Sequence, residues 1–277
     1  MTDETTTTVS ARSTAVTGRD GGSPLRTVTA QELRDLWIRG KGITLLVILS
    51  LLLGGLTYLL ATGKELSLLD QKDMLNMTVQ MTVLVVSLGA LILAADGFSG
   101  ERERATLEGL LLAPVPRWNF AIGKLVSASS IWVGAYLVSL PYLFVLSNGT
   151  GLFWKAIELE LIAGTVLSIF FAAFGLAVSA FASSNRTSLA TCLLVLLALV
   201  APTQLSSSTY RGVIGKLFQR VNPVTAMTNF VTEILVENHT WAELSSWLAS
   251  PIIFTVIAVV ALVLVSRRLN YRGGLSA

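Results

Sequence analysis

A single histidine, a single cysteine and four glycine–lysine pairs are where this chain would place reactive chemistry. His239 stands between Asn238 and Thr240 in a polar stretch. A zinc site or an imidazole base needs further ligands or an orienting partner, and none is expected to be available. Cys192 lies inside the apolar run TCLLVLLALVA. A thiolate is disfavoured there and no second cysteine exists to pair with it, so it reads as a small apolar residue. Gly40-Lys41, Gly63-Lys64, Gly123-Lys124 and Gly215-Lys216 have Asp35, Tyr58, Trp118 and Tyr210 where a phosphate-cradling loop needs its first glycine. Nucleotide is therefore expected on another chain. No His-Glu-x-x-His pattern occurs, and the apolar runs hold no Ser/His or paired-acid arrangement. The chain by itself is not expected to be an enzyme, and no catalytic, cofactor or metal residue is assigned. What remains is a sign-alternating run, Glu101, Arg102, Glu103 and Arg104, and a neutral amide pair, Asn76 and Gln80, four residues apart.

The elements that must position these residues are membrane spans. Of 277 residues 53% are hydrophobic and 13% charged, about half the charge of a soluble domain. Residues 1–41 hold 11 of the 37 charges, leaving 26 for the other 236 positions. Basic residues are scattered between apolar runs rather than clustered, which argues against nucleic acid as a partner. A helix crossing the hydrocarbon core needs about 20 mostly apolar residues. Six stretches come near that length: Ile43 to Ala61, Met77 to Ala95, Leu125 to Leu146, Leu161 to Ala182, Leu189 to Leu205 and Trp247 to Val265. Their continuity is unlike the short alternating segments of a β-barrel. The expected fold is all-α, a polytopic bundle of six transmembrane helices over residues 42–277, preceded by a disordered tail over 1–28. With the N-terminus inside, inner segments carry 14 basic residues and outer ones 6, so both termini are expected in the cytoplasm.

Two cytoplasmic segments are more than connections. Thr29 and Glu32 have capping-box spacing, and Leu33, Leu36 and Trp37 then share a face, which predicts an interfacial helix over 29–41 with its Trp at headgroup depth. In the loop 97–117, Gly97 and Gly100 should break the incoming helix. Thr106 to Leu112 should form a short helix with Leu107, Leu110 and Leu111 on one side, ended by Pro114 and Pro116. That leucine face suits either a groove on another protein or the chain's own bundle.

The run from Glu101 to Lys124 resembles the signature of ABC-2 type transporter permeases, the membrane subunits of ATP-driven exporters. Glu101, Arg102, Glu103, Thr106, Leu107, Glu108, Leu110, Leu111, Pro114, Val115, Arg117, Gly123 and Lys124 stand in the matching places, with Ala105 where a glycine is usual. The resemblance implies that residues 101–117, Arg104 included, form a coupling helix docking into an ABC ATPase subunit. It further implies ATP and Mg on that partner, a second permease copy or paralogue, and a prokaryotic inner or plasma membrane. An ATP-independent carrier or channel is the competing reading.

Beyond the fifth span, residues 206–246 are too long for a turn. Val213, Ile214, Leu217, Phe218 and Val221 recur at helical spacing. Asn222 and Pro223 then make a cap and first-turn proline for a second amphipathic helix. The pair either caps an exit path or meets an extracytoplasmic partner, or it rests on the outer leaflet and completes the fold. The loop resembles that of permeases associated with copper-enzyme maturation. Asn76 and Gln80 either line a pathway or bridge helices, the latter being the commoner use of such groups. Glu158 and Glu160 are expected to snorkel at the outer entrance of the fourth span, leaving no charge deep in any span.

Overall fold

The computed structural model describes residues 24–61, 68–104, 116–204, 213–237 and 239–267. Among them no strand occurs, and six helices are long and apolar enough to cross a membrane. Helix α1 (Pro24–Ile38) precedes the spanning helices α2 (Lys41–Ala61) and α3 (Leu68–Asp96). The short α4 (Ser99–Glu103) follows, then α5 (Arg117–Leu146), α6 (Phe153–Phe181) and α7 (Asn185–Val200), the last extended by a 3-10 turn at Ala201–Gln204. After α8 (Val213–Val221), α9 (Pro223–Leu235) and the single turn α10 (Trp241–Leu244), the chain closes on α11 (Ala249–Arg267).

Helices α3 and α6 form the centre. In each, 56% of the apolar window is buried inside the chain, against 17% in the windows of α2 and α11. The peripheral helices thus turn leucines such as Leu51 and Leu59 outward, a face that suits lipid. Close approach of the central pair depends on a small residue: a Cβ on Gly175 would stand 2.8 Å from that of Ala94 and 3.0 Å from the Leu91 carbonyl. Without a hydrophobic gradient between helix and lipid, such close backbone packing is what drives association.

Several helices outrun their apolar stretches. α3 begins at Leu68, α5 at Arg117 and α6 at Phe153, because polar flanks continue the helical hydrogen bonding past the hydrocarbon slab. Gly97 ends α3 as expected, but Gly100 lies inside α4, where a Cβ would collide with the Asp96 carboxylate. The capping box does not form. Helix α1 is already under way at Thr29, whose hydroxyl donates to the Leu25 carbonyl at 2.8 Å. Nor is Trp37 free at a lipid surface, since its Nε1 donates to Ser130 Oγ of α5 at 3.2 Å.

The segment between α7 and α11 meets the expected cap: Asn222 Oδ1 accepts from the amides of Val224 and Thr225 at 3.0 and 3.3 Å. Helix α9 then completes the bundle, burying Met227, Phe230, Val231 and Ile234. Helix α8 instead leaves Leu217, Phe218 and Val221 exposed.

Candidate functional site

Side chains on consecutive helical residues point about 100° apart, so the one turn of α4 can send four charges in four directions. Glu101 turns inward, its Oε1 2.5 Å from Lys124 Nζ of α5. The same ammonium lies 2.8 Å from Glu32 Oε1 of α1 and is only 6% exposed. Gly123 makes room for this, since a Cβ there would press on Val28 of α1 at 3.0 Å. Arg102 donates to the carbonyls of Ala182 and, at 3.1 Å, Ala180. These are terminal carbonyls of α6, where a cation meets the negative end of the helix dipole. Glu103 Oε1 accepts the Asn185 backbone amide at 2.7 Å, an anion at the positive start of α7. Arg104 Nη2 reaches both Asp96 oxygens at 2.9 Å, while Lys41 of α2 lies 3.2 Å from Oδ2 and Asn185 Nδ2 donates to Oδ1 at 3.0 Å.

Four cations (Lys41, Arg102, Arg104, Lys124) and four carboxylates (Glu32, Asp96, Glu101, Glu103) thus tie α1, α2, α3, α5, α6 and α7 to one turn. Ser179 adds a neutral tie, its Oγ accepting the amides of Phe98 and Ser99 at 3.0 and 2.9 Å. A cleft of about 130 Å³ runs among Glu32, Asp96, Glu101, Arg104 and Lys124. The carboxylates there keep some contact with solvent: Asp96 is 21% exposed and Glu101 19%.

Of the expected contact residues, Glu101, Arg102, Glu103 and Arg104 therefore engage their own bundle. Arg117 opens α5 directly after Pro116. Thr106, Leu107, Glu108, Leu110, Leu111 and Pro114 lie outside the described residues. The sequence reading missed Glu32, Lys41, Asp96 and Asn185 as members of the node. Asp96 carried a signal, as the one charge closing a long apolar run.

At the opposite end of the bundle, α3 is joined to α9 without charge. Asn76 Nδ2 and Gln80 Nε2 of α3 donate to Thr232 Oγ1 of α9 at 3.1 and 3.0 Å, and Gln80 Nε2 also donates to Asn76 Oδ1 at 3.0 Å. The amide pair bridges helices. Gln80 also faces a mostly apolar cavity of about 230 Å³ lined by Met77, Met81, Phe171, Thr203 and Met227. At the end of α9, Glu233 and Glu237 bring carboxylates 3.5 and 3.6 Å from His239 Nε2. The expectation that His239 has no such partner is thereby corrected: both acids stand close to it in sequence, Glu237 two residues before it and Glu233 six. The three ligand atoms lie within 4.8 Å of one another. Burial, then the neighbouring Glu237, pushes the Glu233 carboxyl above its ordinary value.

One expectation fails outright. Glu160 does not snorkel: α6 begins seven residues earlier, and the side chain is fully buried.

A family model matches residues 26–268, that of the ABC-2 family transporter protein. A search of curated proteins finds no match.

Proposed function

The chain belongs to the ABC-2 family of transporter proteins, a membrane transport subunit of an ABC system, and from that premise we infer that it works as an exporter's permease driven by a separate ATPase. The observation carrying this reading is the node. Residues 105–115 connect α4 to α5, and at their α4 side four consecutive charges are fastened to different helices. A push on that segment is passed to all of them together, because short charge-assisted bonds resist stretching. Leu107, Leu110 and Leu111 dock on the ATPase, which holds ATP and Mg. Glu101 to Arg104 act behind them as a transmission, and Arg117 starts the helix on the far side. A second copy or paralogue completes the path, as the likeness to the family suggests. The node faces the cytoplasm with both termini. The α8 face with Leu217 and Phe218 meets the outer leaflet or an extracytoplasmic partner.

The test separates docking from transmission. Co-purification of the ATPase should be lost when Leu107, Leu110 and Leu111 become serine. It should persist in Lys124→Met, in which transport-linked ATP hydrolysis falls. If the serine variant still binds the ATPase and transports, the docking assignment is wrong. Transport by the purified chain without any ATPase would instead favour a secondary carrier.

A further inference from the structure

Helix α6 carries a fully buried carboxyl inside the membrane-spanning bundle. Glu160 lies seven residues into α6, roughly 10 Å along its axis. It is 0% exposed, and although the Thr82 and Ser139 hydroxyls come close, neither carboxylate oxygen has a partner in good hydrogen-bond geometry. From α3 it faces Thr82, and from α5 it faces Ser139 and the phenol of Tyr136. Thr82 and Ser139 are themselves fully buried. Each has already committed its one hydroxyl proton to a backbone carbonyl, Thr82 to Thr78 at 2.9 Å and Ser139 to Tyr136 at 2.8 Å.

That geometry decides what the carboxyl can hold. A hydroxyl whose proton is spent offers its neighbour only lone pairs. The hydroxyls of Thr82 and Ser139 thus face Glu160 as acceptors, while the Tyr136 phenol still has a proton it could offer, and among the described residues neither lysine nor arginine is paired with Glu160. A bare carboxylate among acceptors, out of reach of water, is among the costliest arrangements in a membrane. One kind of ligand satisfies carboxylate and hydroxyl lone pairs at once: a small cation. A proton on Glu160 would be donated to Thr82 or Ser139. An alkali-metal ion would take the same oxygens as ligands, oxygen donors being what hard cations select.

We propose that Glu160, Thr82 and Ser139 form an intramembrane site for a small monovalent cation, a proton or an alkali-metal ion, at the junction of α3, α5 and α6. The site stands apart from the charged node and from ATPase docking. Its three ligating residues come from three helices, so any rearrangement that separates α6 from α3 and α5 dismantles it and releases the ion. Cation occupancy thereby becomes linked to the state of the bundle.

The full-length protein in membranes is treated with dicyclohexylcarbodiimide, which adds to protonated carboxyls in apolar surroundings, and Glu160 is read by peptide mass spectrometry. In parallel, thermal unfolding of the wild type and of Glu160→Gln is followed across pH in sodium, potassium or choline chloride. A proton site predicts labelling that falls about tenfold per pH unit once the carboxyl titrates, without regard to the salt. An alkali-ion site predicts protection by sodium or potassium relative to choline at constant pH, weakened in Thr82→Val. Either response, if absent from the unfolding of Glu160→Gln, supports the site. If wild type and Glu160→Gln respond alike to pH and to every salt, and labelling of Glu160 responds to neither, the proposal is overturned.

Discussion

The two ends of this bundle are fastened by opposite chemistry. At the end that carries α4 and the start of α5, eight charged groups converge on one turn of helix. At the other, two amides and a threonine hydroxyl join α3 to α9 with no charge among them. Neutral interhelical bonds in membranes contribute about 0.6–2 kcal/mol each, and they can exchange partners cheaply. A buried ion pair behaves differently: breaking it by removing one partner costs about 3–5 kcal/mol, because a charge is stranded. The charged end therefore suits moving as a unit, and the neutral end suits yielding. A lever needs that asymmetry, with a stiff attachment at the driven end and a compliant one at the end that opens.

The sharpest way to break the comparison is Lys124→Met. It leaves Glu101 and Glu32 facing each other with no cation between them. The expected loss is about 3–5 kcal/mol of stability, read as a lowered thermal midpoint in detergent. Adding Glu101→Met should restore part of it, since the stranded like charges are then reduced to one. If Lys124→Met melts like the wild type, the node is ornamental and the asymmetry disappears.

Arg102→Gln should come next in size. Its guanidinium satisfies two carbonyls at the end of α6. Losing a charged donor to such groups costs about 1.5–3 kcal/mol. The loss should be visible as faster hydrogen exchange over 176–182, while the far end of α6 keeps its protection.

Much of this arrangement could be read from the residues and some could not. Six apolar runs and the Asn222-Pro223 cap sit where their periodicity and turn chemistry place them, because those signals are local. The node is invisible to the same reasoning. Glu32 and Lys124 are 92 positions apart, and Asn185 and Asp96 are 89 apart. Glu32 even had a local role available in a capping box, which lost to a buried ammonium. Glu160 was misplaced for a related reason. Hydropathy marks where apolar residues begin, whereas a helix continues as far as its backbone bonds can be made. A carboxyl just outside the apolar run was thereby carried inside the bundle.

At the neutral end, Gln80→Leu removes two donated bonds and should cost about 0.6–2 kcal/mol. Thr232→Val should cost a similar amount, and the double variant less than the sum, because both delete the same contact. A loss as large as that of Lys124→Met would mean that both ends are equally rigid, and the lever reading would lose its compliant half.

The smallest effect expected concerns Glu233, the residue after Thr232. Burial and the adjacent Glu237 hold its carboxyl above the ordinary 4.5, partly offset by His239. The folded state thus binds this proton more tightly than the unfolded chain does. The contribution to stability is full below about pH 4.5 and is lost as pH rises through the elevated folded value. Glu233→Gln should flatten that slope, leaving the melting temperature less sensitive to pH on the acid side of neutrality. The side chain keeps a third of its surface in water, so screening limits the change to a small fraction of what the charged end shows. A steeper slope in Glu233→Gln than in the wild type would mean that the dominant titrating acid lies elsewhere, and that the far end is less neutral than its hydrogen bonds suggest.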